Sequence, residues 1–113
     1  MTITIYEIFE LNRVLHSLIS QQSSYTIQTA FKIHTLIKWL DETEQFIIER
    51  MHIVFGTDVI DSDNPLYLAF LSSQIPFTDS SLTIKELLET TDDVKISVND
   101  VEILEKIFDK AEN

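Results

Sequence analysis

The chain has 113 residues, the size of one domain, and a formal charge of −11 from 8 Lys+Arg and 19 Asp+Glu. Such a charge repels phosphate backbones and anionic lipid, which disfavours direct nucleic-acid and membrane-surface binding. With no cysteine, disulfides, thiolate metal sites and cysteine nucleophiles are excluded; one glycine and two prolines leave few places for the chain to break.

A 44% hydrophobic, 24% charged composition is that of a folded chain. The first nine residues lack the basic start and small-residue cleavage site of a signal peptide. No apolar run approaches the roughly 20 residues a membrane helix needs. The expectation is a soluble protein of the cytoplasm.

Thr2-Ile3-Thr4-Ile5 alternates polar and β-branched residues and reads as a short strand or extended lead-in. From Tyr6 the period changes: Ile8, Leu11, Leu15 and Leu18 recur at helical spacing, with Val14 and Ile19 widening the stripe. A first helix over 5–20 follows, ending in the polar run Ser20-Gln21-Gln22-Ser23-Ser24. The next stretch, 26–55, has no glycine or proline. Ile33, Leu36, Ile37, Leu40, Ile47, Met51 and Val54 keep to three- and four-residue steps along it. Gly56 stands where a left-handed cap commonly stops a helix. At about 1.5 Å per residue this second helix is about 45 Å long.

That helix carries more apolar surface than one face requires, because Phe31, Trp39, Phe46, Ile48 and Ile53 fall beside or away from its main stripe. A first helix half as long cannot cover all of it. Either the C-terminal half folds back over the remainder, or another chain does. Phe31, Trp39, Phe46 and Ile53 are therefore the candidate interface residues, for a protein partner or for self-association; for Trp39 the simpler explanation is packing under the C-terminal half.

After Gly56, Asp58, Asp61, Asp63 and Asn64 form a polar connection, and Pro65 reads as the first-turn proline of a third helix over 65–73, with Leu66, Ala69 and Phe70 on its buried side. Ile75-Pro76-Phe77-Thr78 resembles an edge segment, since proline cannot donate to an interior ladder. Leu82-Thr83-Ile84 alternates like a strand but runs into Lys85-Glu86-Leu87-Leu88, which could be a helical turn; Val94-Lys95-Ile96 alternates again. Two or three such strands could form a small antiparallel sheet on the hairpin. Ser97 with Asp100 three residues later opens a last helix over 98–110, whose buried face is Val101, Leu104, Ile107 and Phe108.

The expected fold class is α+β, mostly α: a long antiparallel helical hairpin, a small two- or three-stranded β segment and a C-terminal helix. It is one domain over 1–113, with a hairpin over 1–56 and an acidic α/β cover over 57–113. Charge divides the same way. Residues 1–56 hold four basic and six acidic groups (−2), and residues 57–113 hold four and thirteen (−9).

The succession Ile5-Tyr6-Glu7-Ile8, Ala30-Phe31-Lys32-Ile33, Phe46, Glu49-Arg50, Phe55-Gly56, Ile84-Lys85-Glu86-Leu87 and Ser97 to Leu104 resembles a group of small, mostly uncharacterised proteins of tailed bacteriophages. The resemblance spans roughly 5–108 and rests on caps and apolar spacing. It carries no transferable functional residues, and implies a phage origin with a role in virion assembly or host takeover.

Nothing in the residues announces chemistry. His34 and His52 lie about 27 Å apart on one helix and cannot share a metal; His16 could approach His34 across the hairpin, but has no carboxylate three or four residues on. A calcium loop counted from Asp61 places Leu66 where glycine is needed and Ser72 where a bidentate glutamate is needed. Ser23-Ser24, Ser72-Ser73 and Ser80-Ser81 lie in no Gly-x-Ser-x-Gly elbow, and Asp92-Asp93 reads as a solvated turn. No catalytic, cofactor or metal residue is expected. The expected function is a non-enzymatic phage protein working through protein–protein contacts, a virion structural or assembly component. The alternative is an acidic inhibitor of a host enzyme or defence complex.

Overall fold

The fold is described from a computed structural model, over residues 2–21, 24–56, 63–77, 82–89 and 95–112. The elements in chain order are β1 (Thr2–Thr4), α1 (Ile5–Ser20), α2 (Ile27–Phe55), α3 (Pro65–Leu71), β2 (Gln74–Pro76), α4 (Ile84–Leu88) and α5 (Val98–Glu112). The molecule is mostly helical, and α1 and α2 pair as the expected hairpin.

Each helix begins on a side chain that satisfies its free N–H groups. Thr4 and Glu7 form a reciprocal capping box: Glu7 N–H donates to Thr4 Oγ1 (3.1 Å) and Thr4 N–H donates to Glu7 Oε1 (3.0 Å). This lets β1 pass into α1 without a loop. Thr26 caps α2 by accepting from Thr29 N–H, Asn64 caps α3 ahead of Pro65, and Ser97 Oγ accepts from Asp100 N–H at the start of α5. A second capping box, Thr83 with Glu86, makes Lys85-Glu86-Leu87 helical. Of the two readings open for 82–88, the helical turn is the one the chain adopts.

At the far end of α2, Gly56 sits at φ 73°, and its N–H donates to His52 O (2.9 Å). A Cβ at this position would meet nothing within 4 Å, so a substitution there is opposed by backbone strain alone. Gly56→Ala is expected to lower the free energy of unfolding by about 1–2 kcal/mol, read as a fall in the urea midpoint at constant slope.

The sheet has two strands, β1 and β2, antiparallel, with Thr2 opposite Pro76, Ile3 opposite Ile75 and Thr4 opposite Gln74. The expected edge segment is thus a strand, but its partner is the N-terminus rather than another piece of the C-terminal half. Among the described residues, Lys95 and Ile96 are in neither strand nor helix; Val94 lies outside them. The connection at 57–62 also lies outside the described residues.

One apolar core joins both halves of the chain, from Ile3 through Leu11, Leu40 and Ile47 to Leu104 and Phe108. Half of the sixteen residues of α1 are buried, against six of the 29 in α2. The reason is position: α1 packs on α2, on α5, on α3 and on β1, whereas α4 closes on α5. So α1 is the middle of the molecule and α2 its outer wall. Two details of the sequence reading change accordingly. On α3, Leu66 (69% exposed) and Ala69 face outward, and Tyr67, Phe70 and Leu71 turn in, because α3 meets the end of α2 through Phe55, whose ring stands edge-on to both Tyr67 (6.5 Å) and Phe70 (5.9 Å). On α5, Leu104, Ile107 and Phe108 are buried and Val101 only half so.

Candidate interaction surface

The core-facing residues of α2 (Thr29, Ile33, Leu36, Leu40, Ile47 and Met51) form one stripe along its length. At about 100° per residue the opposite stripe is Ile27, Phe31, Thr35, Lys38, Glu42, Gln45, Glu49 and Ile53, within about 80° of arc. All eight are exposed. The apolar ones sit at the two ends: Ile27 (76%) and Phe31 (68%) near the start, Ile53 (71%) near the end, with Phe46 (62%) beside it.

The four candidate interface residues therefore divide. Phe31, Phe46 and Ile53 point outward. Trp39 does not: it is half-buried, with its ring edge-on to Phe77 at 5.6 Å. Among the described residues, the C-terminal half folds back to cover Trp39 and Phe55. The remaining surplus of α2 is left without cover among the described residues.

A hollow of about 240 Å³ lies on this wall, lined by Ile27, Ala30, Phe31 and His34, and two others lie at its flanks. One, about 230 Å³, lies where α1 ends and α2 begins, lined by Ile19, Tyr25, Ala30, Ile33, His34 and Ile37. The other, about 560 Å³, is a groove between α1, α2 and α3, with Tyr6, Phe9, Ile48, Met51, Leu68 and Leu71 among its walls. The sequence reading missed this groove because its lining comes from three separate elements.

Polar contacts tie the wall to the rest. His16 Nε2 donates to Asp41 Oδ1 (3.0 Å), and Asn12 Nδ2 donates to both Asp41 Oδ1 (3.1 Å) and Glu44 Oε2. Asn12-x-x-x-His16 on α1 thus faces Asp41-x-x-Glu44 on α2. Both spacings place their residues on one helical face, a signal readable from the sequence. The His16 hydrogen bond and the Asn12 amide hold the Asp41 carboxyl below the usual carboxylate range, against the opposing effect of desolvation. Asn12 is buried, and its Oδ1 has no hydrogen-bond partner.

Two longer-range ion pairs complete the frame. Arg13 joins Glu10 and Asp100 (2.9 Å each), which raise its pKa further above the ordinary arginine value. Lys32 Nζ reaches Glu86 (3.0 Å), which lowers the Glu86 carboxyl; Thr29 Oγ1 donates to the same carboxylate (3.3 Å). Tyr25 Oη donates to Leu87 O (2.8 Å). Together they pin α4 to the start of α2.

Across the hairpin His16 pairs with Asp41; His34 and His52 are exposed. Among the described residues no group of three or more His, Cys, Asp or Glu is placed to hold a metal ion. Ser72 and Ser73 donate back to Leu68 O and Ala69 O as helix-end hydroxyls do. Ser23, Ser80, Ser81 and Asp92-Asp93 lie outside the described residues. No described helix is long and apolar enough to cross a membrane. Comparison with protein families, with curated proteins and with solved structures finds no match for this chain.

Proposed function

We propose that this chain is a non-enzymatic interaction protein of phage origin, a virion structural or assembly component, that works through the outer face of α2. The observation that carries the reading is the exposure of Phe31, Phe46 and Ile53, together with Ile27, on the side of α2 turned away from the core. Exposed apolar surface of this extent on a helix is what a partner's cover would relieve. The phage setting rests on the resemblance of the chain's caps and spacing to small tailed-phage proteins.

The test is cosedimentation of the tagged chain with purified virions, beside Phe31→Asp and Ile53→Asp variants. The wild type is expected in the particle fraction and each variant reduced there at least tenfold. A wild type absent from particles that also associates with no protein would sink the reading.

A second reading, an acidic inhibitor of a host enzyme or defence complex, draws on the charge of −9 over residues 57–113. On α5, Glu102 and Glu105 are exposed, while Asp100 is engaged by Arg13. Binding of this kind is electrostatic and is expected to fall away between about 0.05 and 0.5 M salt, where charges more than a few ångström apart become screened. Host-lysate capture that survives about 0.5 M salt counts against it.

A further inference from the structure

Resting on the reading of α2 as an interaction helix, we propose that its occupant is a second copy of this chain. The two α2 helices would lie antiparallel, about a two-fold axis level with Leu40. A two-fold interface is self-complementary: if one residue meets another, the reverse contact must also be made. About position 40 the outer stripe of α2 meets that condition at its two ends and at its centre, and between them it sets Thr35 beside Gln45 and Phe31 beside Glu49. Ile27 and Ile53 are equally spaced about position 40, as are Lys38 and Glu42. Antiparallel pairing at this level therefore sets Ile27 of each copy beside Ile53 of the other, and Lys38 of each beside Glu42 of the other.

The charges select the register. Moving the axis to the level of position 42 would set Glu42 against Glu42, and moving it to position 38 would set Lys38 against Lys38. Parallel pairing would set every charge of the stripe against its own kind. Only the Leu40 register opposes both by opposites. Among the described residues neither Lys38 nor Glu42 makes an ion pair within the chain, so both are free to serve across the axis. The distribution of net charge argues for the same face. Two copies repel most strongly through residues 57–113 (−9) and least through the hairpin (−2), and α2 is the hairpin's outer wall.

The stripe and its flanks supply about ten residues per copy, against about 20–30 in a standard interface, so the pair is weak and concentration-dependent, with a Kd on the order of 100 µM. Sedimentation equilibrium of the full chain from about 10 µM to 1 mM is expected to show monomer and dimer in exchange. Lys38→Glu alone and Glu42→Lys alone each turn both cross-axis pairs into like charges, and each is expected to weaken the dimer at least tenfold. The double swap K38E/E42K restores the pairs inverted and is expected to return the affinity to within about threefold of the wild type. Because the chain has no cysteine, geometry can be read directly. A mixture of Ile27→Cys and Ile53→Cys chains is expected to oxidise to a mixed disulfide dimer. Either variant alone is not, its two thiols standing about 39 Å apart at roughly 1.5 Å per residue.

A chain that stays monomeric to 1 mM overturns the proposal, as does a double swap that fails to recover, or disulfide formation by either single variant alone. Failure of self-pairing is distinguishable from failure of the wider reading. A strict monomer that still sediments with virions, and loses that on Phe31→Asp, keeps α2 as the interaction face while rejecting a second copy as its occupant.

Discussion

Replacing Phe108 with alanine is expected to lower the free energy of unfolding by about 3–5 kcal/mol, while the same change at Phe31 stays within about 0.5 kcal/mol. Both rings sit on helices, at positions a sequence pattern scores as apolar. Phe108 is 1% exposed, on the face of α5 that closes against α1. Its removal leaves a void that close-packed neighbours fill only in part, so the loss includes a cavity contribution as well as the transfer of the ring. Phe31 is 68% exposed and leaves no void when truncated. Urea unfolding of the two variants beside the wild type measures the contrast. Equal losses would mean that α5 does not form part of the core.

Asn12→Asp is expected to lower stability by about 3 kcal/mol at pH 8, and by less at pH 5. The Asn12 amide lies 5% exposed between two helices and gives its hydrogens to Asp41 and Glu44. Asparagine suits the place because Nδ2 can serve two carboxylates at once; turned the other way, its oxygen would face them both. An aspartate there adds a third negative charge beside Asp41 and Glu44 in a buried setting. Burial and the neighbouring carboxylates raise the folded pKa of the new group above its unfolded value. The penalty is therefore complete above that raised pKa and shrinks as pH falls through it, toward none below the unfolded value of about 3.9. Wild-type Asp41 behaves in the opposite sense. Its depressed carboxyl contributes stability that is lost as pH falls, though exposure of the pair keeps this small. Each pH point must therefore be read as variant minus wild type. A gap that widens on acidification would contradict the assignment of Asn12 to the carboxylate pair.

The local features of the fold were legible because each is a short-range choice. The α1 and α2 bounds follow from where three- and four-residue spacing starts and stops, and Gly56 marks the end of α2 by the one backbone conformation it tolerates better than other residues. Ser97 announced α5 in the same way. Thr83 was ambiguous, because a capping threonine and a strand threonine look alike until Glu86 is seen to fold back on it. The candidate surface was half legible. Apolar residues off the core stripe of α2 mark a surplus, and spacing sets Phe31 opposite that stripe and Trp39 at its flank, but that this flank is covered is decided by Phe77 from the C-terminal half.

By itself the sequence determined the helices, their caps, the hairpin and the uneven charge, since these depend on neighbours within a few residues along the chain. The tertiary structure alone decided that β1 pairs with β2 across 72 positions, and that α1 rather than the longer α2 occupies the centre. The reason is that periodicity shows which side of a helix avoids water, whereas which element covers that side is settled by the packing of segments distant in sequence. With α1 enclosed on several sides by α2, α3, α5 and β1, the outer face of α2 is left open among the described residues.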